Sequence, residues 1–239
     1  MARSSLTPRD RYREQTRAEI KQIALRQLAE GGAAAVALAR IAKEVGLSGP
    51  ALYRYFDSRD ALLTDLIRDA YADLGAVVAA AAQTLPADTE PRARLQTLAA
   101  GIRAWAVAEP HRYLLLEGTP VSGYTAPPDT LDSARAVLGP FLRCFAAADP
   151  STAVRPLVDR MTTWAAEDAA VAEWARTEVS AGAEGIALAG AVLVWAQVHG
   201  TVGLEVSGQF TDMGHDGATL LSAQIDMLAD AFDLAPSRD

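Results

Sequence analysis

The sequence predicts an all-α protein. Alanine, leucine, glutamate, arginine and glutamine dominate its composition, and these residues favour helices. Apolar positions recur at the three-to-four-residue spacing of a helix face, and no stretch alternates as a half-buried strand would. With 239 residues and 50% hydrophobic content, the chain can bury a core and form one or two domains. No run reaches the roughly 18 uninterrupted apolar residues of a membrane span, and the first residues are charged where a signal peptide would be apolar. No membrane partner and a cytoplasmic address are therefore expected. The single cysteine, Cys144, cannot form an intramolecular disulfide, and His111, His199 and His215 lack the spacing of metal ligands. Neither a metal nor a cofactor is expected.

The first helix is expected over about Pro8 to Glu30, with Ile20, Ile23, Ala24 and Leu28 as its buried stripe and Gly31-Gly32 as its stop. A short helix over about Leu38–Val45 ends at Gly46. Ser48 is placed to cap a third, Gly49 to about Tyr55, in which Pro50 occupies a first-turn position where a missing N–H costs nothing. Asp57 or Ser58 then restarts a long helix towards residue 82. Pro91 opens a helix to about Ala108, and Pro110 starts a short one. GTPVSGYTAPP (118 to 128) is too rich in Gly and Pro to be helical. Helices follow over about 129–148, 151–177, 184–207 and 216–234. In MGHDG (213 to 217) His215 and Asp216, with Asp212 just before them, admit a metal reading, but an N-cap at the start of the last helix is the simpler account.

Charge is unevenly distributed. Residues 1–60 hold 11 Lys+Arg against 7 Asp+Glu, whereas the rest holds 11 against 23, within a net charge of -8. A small basic module on a large acidic body is one reading; ordinary variation of surface charge is the other. The basic segment contains SGPALYRYF (48 to 56), with three aromatics in four positions of a chain that is 6% aromatic. On a helix Leu52, Tyr55 and Phe56 share one face, while Gly49, Pro50, Tyr53 and Arg54 spread over the other. Leu52 and Phe56 should pack on Ile41, Val45 and Leu47, joining two short helices across the turn GLS. That is the helix-turn-helix arrangement, whose second helix enters the major groove of DNA amino end first. Arg54 and Arg59 can bond phosphate oxygens or, for Arg54, guanine edges. The Tyr53 hydroxyl can donate to phosphate, Pro50 and Ala51 can touch a thymine methyl, and Gly49 permits close approach. Arg3, Arg9, Arg11, Arg13 and Arg17 form either a flexible basic arm or a solvated charged terminus.

LARIAKEVGLSGPALYRYFDSRDALL (38 to 63) resembles the DNA-binding domain of the tetracycline-repressor (TetR) family of bacterial transcription regulators, through its IA…GLS…LY.YF.S framework. The resemblance covers about residues 14–70. It implies that Ser48, Gly49, Pro50, Ala51, Tyr53, Arg54 and Tyr55 lie at or near DNA, and that Arg59 stands where the family usually has a phosphate-binding lysine. One departure is Ala37, where the family commonly caps the second helix with Ser or Thr; losing such a cap costs about 1 kcal/mol.

RYLLLEGTPVSGY (112 to 124) and WAQVHGTVGLEVSGQF (195 to 210) are similar to a regulatory domain of that family marked by Trp, His and Gly, here Trp195, His199 and Gly200. The resemblance implies a helical ligand-sensing and dimerising domain. From the residues themselves, ligand candidates are Trp105, Tyr113, Glu117, Tyr124, Trp164, Trp195 and His199, the bulky or polar groups set among small apolar ones. Trp195 and His199 share a face and could wall a pocket, although a core histidine beside a core tryptophan is the commoner arrangement. Gly200, Gly203 and Gly208 either let helices approach at a dimer seam or relieve crowding within one chain.

The expected architecture is an N-terminal helix-turn-helix DNA-binding domain over 1–60, a linking helix over 59–82, and a helical ligand-binding and dimerisation domain over 61–239. The expected partners are a double-stranded DNA operator, a small-molecule effector, and a second copy joined through the last two helices. A two-fold operator requires two recognition helices about one DNA turn, roughly 34–36 Å, apart. An enzyme is not expected: no Ser/His/Asp or Cys/His set, phosphate-cradling loop or metal cluster is present in the sequence. A ligand carrier or interaction protein that has lost DNA binding is the alternative.

Overall fold

The computed structural model describes residues 7–117 and 130–234, and their secondary structure is helical. The segment expected to be non-helical, with Tyr124, and Arg3 of the terminal segment lie outside the described residues. Residues 7–70 and the helix segment from His111 form one compact unit; residues 71–110 and 130–234 form another.

The first unit begins with α1 (Pro8–Gly31). Thr7 and Asp10 make a reciprocal capping box: the Thr7 hydroxyl accepts from the Asp10 N–H at 3.2 Å, and the Asp10 carboxylate accepts from the Thr7 N–H at 3.2 Å. With Pro8 in the first turn, this start places Arg9, Arg11, Arg13 and Arg17 on the helix, so these four do not belong to a flexible arm. Ile20, Ile23, Ala24 and Leu28 are buried as their spacing predicts. A single 3₁₀ turn (Ala33–Ala35) leads to α2 (Leu38–Val45), which ends at Gly46 with φ 75°, a left-handed conformation that glycine adopts without a Cβ clash. Ala37 provides no side-chain cap, but its N–H donates to the Gln27 side chain at 2.9 Å.

The third helix is shorter than expected. α3 spans Gly49–Leu52, and Tyr53–Tyr55 form turns. Ser48 does occupy the N-cap, but its hydroxyl makes no capping bond. Of the two amides such a hydroxyl reaches, one belongs to Pro50 and does not exist; the other, on Ala51, donates to the Ser48 carbonyl at 2.9 Å. Ser58 rather than Asp57 starts the next helix, its hydroxyl accepting from Ala61 at 3.0 Å. α4 runs Arg59–Thr84, and α6 spans Pro110–Glu117.

The second unit contains the end of α4, α5 (Pro91–Ala108), α7 (Thr130–Cys144), α8 (Arg155–Glu167), α9 (Ala169–Glu178), α10 (Glu184–Val206) and α11 (Gly217–Ala231). The helix expected over 129–148 ends at Cys144 and passes through Pro140. The helix expected over 151–177 is two. Asp168 leaves helical geometry at φ -118°, ψ 102°, and its carboxylate accepts from Ala170 and Val171 at 3.0 and 3.2 Å, so it stops α8 and caps α9. Asp216 caps α11 by accepting from the Thr219 N–H at 2.7 Å. α10 lies against α5, α7, α8, α9 and α11. It is apolar and long enough to cross a membrane by composition alone, at mean hydropathy 1.5 over 18 residues, yet 56% of that window is buried within the protein, as befits a core helix. Phe145 fits over Gly190 of α10: a Cβ there would lie 2.4 Å from the ring. Phe145 also meets Phe232 edge-on, with centroids 4.8 Å apart.

Candidate nucleic-acid interface

The short α3 is held from behind. Leu52 and Phe56 are 1% and 2% exposed, Ile41 is buried, and α3 packs against α2. A helix of one turn cannot hold itself in water, so these anchors define its position. Arg17 completes the mounting: its Nη1 donates to the Tyr55 carbonyl at 2.9 Å, its Nη2 pairs with Asp65, and its guanidinium lies 4.2 Å from the Phe56 ring centroid. Asp65 also pairs with Lys21 at 3.4 Å. Burial would raise the Asp65 pKa, but the hydrogen bond from Arg17 and the nearby positive charges of Arg17 and Lys21 outweigh it, so the carboxyl titrates below its ordinary value.

This mounting leaves the amino end of α3 outward. Ser48, Gly49 and Pro50 are exposed, Ala51 is half-buried, Tyr53 is 53% exposed, and Arg54 is exposed. Tyr55 is half-buried. Arg59 is positioned differently from these: its Nε donates to the Val36 carbonyl at 2.9 Å and its Nη2 to the Ala33 carbonyl, tying the α1–α2 connection to the start of α4. A groove of about 380 Å³ beside α3 is lined by Arg9, Tyr12, Arg13, Arg54 and Tyr55. The sequence offers Arg9 and Arg13 as part of a flexible basic arm or a solvated terminus and gives no signal for Tyr12, whose place on the same groove as Arg54 depends on how α1 lies in this unit.

The ligand candidates are distributed over both units. Tyr113 is fully buried and lies one turn before the exposed Glu117 on α6, and burial together with the Glu117 charge pushes its phenol pKa up. In the second unit Trp105 is 9% exposed, whereas Trp164 is 40% exposed on α8. Trp195 and His199 meet edge to face at 3.9 Å between centroids, and desolvation lowers the His199 pKa to about 4. A groove of about 370 Å³ in this unit is lined by Gln96, Thr97, Ala100, Arg103, Ala218, Leu221 and Ser222, none of which the sequence singled out. Burial pushes the Cys144 thiol up to about 12, which keeps it protonated and unreactive. Among the described residues no group of three or more His, Cys, Asp and Glu could hold a metal.

Comparison with known proteins agrees with this geometry. The sequence model for bacterial regulatory proteins of the tetR family matches residues 22–66, and that for the tetracyclin repressor-like C-terminal domain matches residues 95–228. The HTH-type transcriptional regulators Rv1816 of Mycobacterium tuberculosis and Mb1846 of Mycobacterium bovis are each 38% identical over 218 residues, covering 90% of this chain and 92% of the relative. The crystal structure of regulatory protein SCO4313 is 42% identical, with a TM-score of 0.74, over 94% of this chain and all of that one. FadR from Bacillus subtilis, crystallised with stearoyl-CoA, shares the fold at 13% identity and a TM-score of 0.54, over 90% of this chain and 98% of that one. Together with the outward α3 on its buried anchors, these matches establish that the chain belongs to the TetR family of DNA-binding transcription regulators.

Proposed function

We propose that this regulator is a cytoplasmic repressor that binds a palindromic operator as a homodimer and is released when a small effector enters its second unit. The supporting observation is the exposed amino end of α3, from Ser48 to Pro50, on a helix whose Leu52 and Phe56 are buried. Ser48, Gly49, Pro50, Ala51, Tyr53, Arg54 and Tyr55 are the residues assigned to the groove and its walls. Arg59 supports them by fixing the connection to α2. Residues 1–60 act as the reading head, the helix over 59–82 as the link, and 61–239 as the sensing and dimerising part.

Dimerisation through α10 and α11 is supported by what those helices leave outside. Val192, Ala196, Gly200 and Leu204 are exposed at successive four-residue steps along α10, and Met227 on α11 is 70% exposed. A Cβ on Gly200 would meet nothing within 4 Å, so crowding inside one chain does not account for that glycine. A second copy laid along this strip would bury apolar surface in a four-helix arrangement. Effector release needs a ligand that prefers the conformer with the wrong head spacing, at a coupling of about 1–3 kcal/mol. Trp105, Trp164, Trp195 and His199, which lie in the second unit, are the candidate contacts there. FadR from Bacillus subtilis holds stearoyl-CoA within the same fold, which supports a small-molecule role for the helical body without naming the molecule.

Selection of bound duplexes from a random library at about 0.15 M salt tests the reading. An enriched palindrome is expected, together with a mass in solution of twice the 25.2 kDa chain. A folded protein that enriches no sequence would overturn operator binding, and an enriched half-site bound by a monomer would overturn the dimer.

A further inference from the structure

The cationic side chains of the first unit fall into two sets. Arg17 and Lys21 pair with Asp65, Arg26 and Arg40 pair with Glu44, and Arg59 donates to backbone carbonyls. Arg9, Arg11, Arg13, Lys43 and Arg54 are exposed, and among the described residues none of the five lies within ion-pair distance of a carboxylate. Arg9, Arg13 and Arg54 are not scattered. They line one groove, where the first turns of α1 meet the end of α3, and the other lining residues are Tyr12 and Tyr55. No acidic side chain is part of that lining, although the protein as a whole carries a net charge of -8. Tyr12 is 66% exposed, with its hydroxyl available as a donor.

We propose that this groove clamps a backbone phosphate of the DNA flanking the bases that α3 faces, with Arg9, Arg13 and Arg54 as its cationic walls and Tyr12 as a hydrogen-bond donor. The inference rests on the chain's DNA-binding reading and extends the contact surface from α3 to α1. It also moves the main phosphate anchor away from Arg59, whose Nε and Nη2 are committed to the Val36 and Ala33 carbonyls. The chemistry is suited to phosphate rather than bases: three guanidiniums around one concavity neutralise a diffuse anion, and contacts of this kind set register and affinity without reading sequence.

The test measures affinity for the library-selected duplex as a function of salt, for the wild type and for R9A/R13A, R13K and R59A. Each phosphate contact contributes about one to the slope of log K against log salt. The double variant is expected to lose about one from that slope for each arginine removed in the complex, with its base preferences unchanged. R13K should keep the slope, and R59A should keep it while lowering the melting temperature. An unchanged slope in R9A/R13A, or an altered base preference in place of a changed slope, would overturn the clamp and leave DNA binding standing. A slope lost in R59A and kept in R9A/R13A would return the anchor to Arg59. A wild type without salt-dependent binding to any duplex would remove the DNA reading and the clamp together. Arg9 and Arg13 are exposed, so the double variant is expected to fold, and its circular dichroism melt verifies this in the same samples.

Discussion

The two units are held together by different means. In the first, the short α2 and α3 and the connection before α2 are tied to α1 and α4 by directed polar bonds: Arg17 to the Tyr55 carbonyl, Arg59 to the Val36 carbonyl, and Gln27 to the Ala37 N–H. The second has such ties as well, Arg103 to Glu205 and Arg92 to the Leu234 carbonyl, but its core adds close-fitting shape: an aromatic ring occupies the space left by the missing side chain of Gly190. The difference follows from size. A unit of roughly 70 residues buries too small a share of its surface for apolar packing alone to fix every segment. A one-turn helix also leaves most of its terminal carbonyls without internal partners. Arginine supplies several donors from one side chain, so it can join a helix end to a neighbouring carboxylate in a single step. The larger unit buries enough apolar surface to rely on shape, and shape tolerates less change.

Three substitutions probe that contrast. The largest effect is expected for Gly190→Val, whose side chain would occupy the position of the Phe145 ring. Overpacking of this kind should cost about 3 kcal/mol and lower the thermal midpoint by roughly 6–12 °C. A midpoint unchanged in a calorimetric scan would show that the second unit yields more readily than its packing implies. Next is Arg17→Ala, expected to cost about 2 kcal/mol by releasing the Tyr55 carbonyl and leaving Asp65 with fewer partners. Amide exchange should accelerate across residues 38–56 and stay unchanged in α10; equal acceleration in both would erase the distinction between the units. The smallest effect is a titration. His199 has a pKa of about 4 when folded, against an ordinary value of 6.5, because burial disfavours its charged form. Between those values the unfolded chain binds more protons, so stability falls as pH is lowered from about 6.5 to about 4. Substituting His199→Gln should remove the part of that fall that belongs to this imidazole, read from denaturant midpoints across the window. Carboxylates such as Asp65, whose pKa is lowered, lose their contribution at more acid pH, below about 4, and the paired comparison separates the two.

Much of the first unit was legible in the sequence because its signals are local. The stripe from Ile20 to Leu28, the stop at Gly46 and the anchors Leu52 and Phe56 all follow from spacing and from the conformational freedom of glycine. Local cues also misled where two of them competed. Ser48 looks like a capping residue, but Pro50 removes one amide it would serve, and α3 ends after one turn. Asp168 carried a capping signal that was hidden inside an otherwise uninterrupted helical pattern, so α8 and α9 read as one element. The site was less legible than the fold. That Arg54 faces out follows from helical phase, whereas the pairing of Arg17 with Asp65, 48 positions later, and the presence of Tyr12 and Arg54 on one groove depend on long-range packing. The ligand candidates were chosen by residue type, which cannot distinguish the buried Tyr113 from the exposed Trp164.

The bond from the Ala37 N–H to Gln27 bears on how the reading head comes into being. In a capping box the third residue of a helix reaches back to the amide at its own start; here that service comes from α1, across ten positions, from a side chain that is 1% exposed. The first turn of α2 is therefore completed only when α1 lies beside it, and α2 in turn provides the surface on which α3 rests. A fragment containing α2 and α3 alone loses that bond, worth about 1 kcal/mol, together with the face of α1 on which α2 packs. The head is therefore expected to form its short helices and their support in one cooperative step.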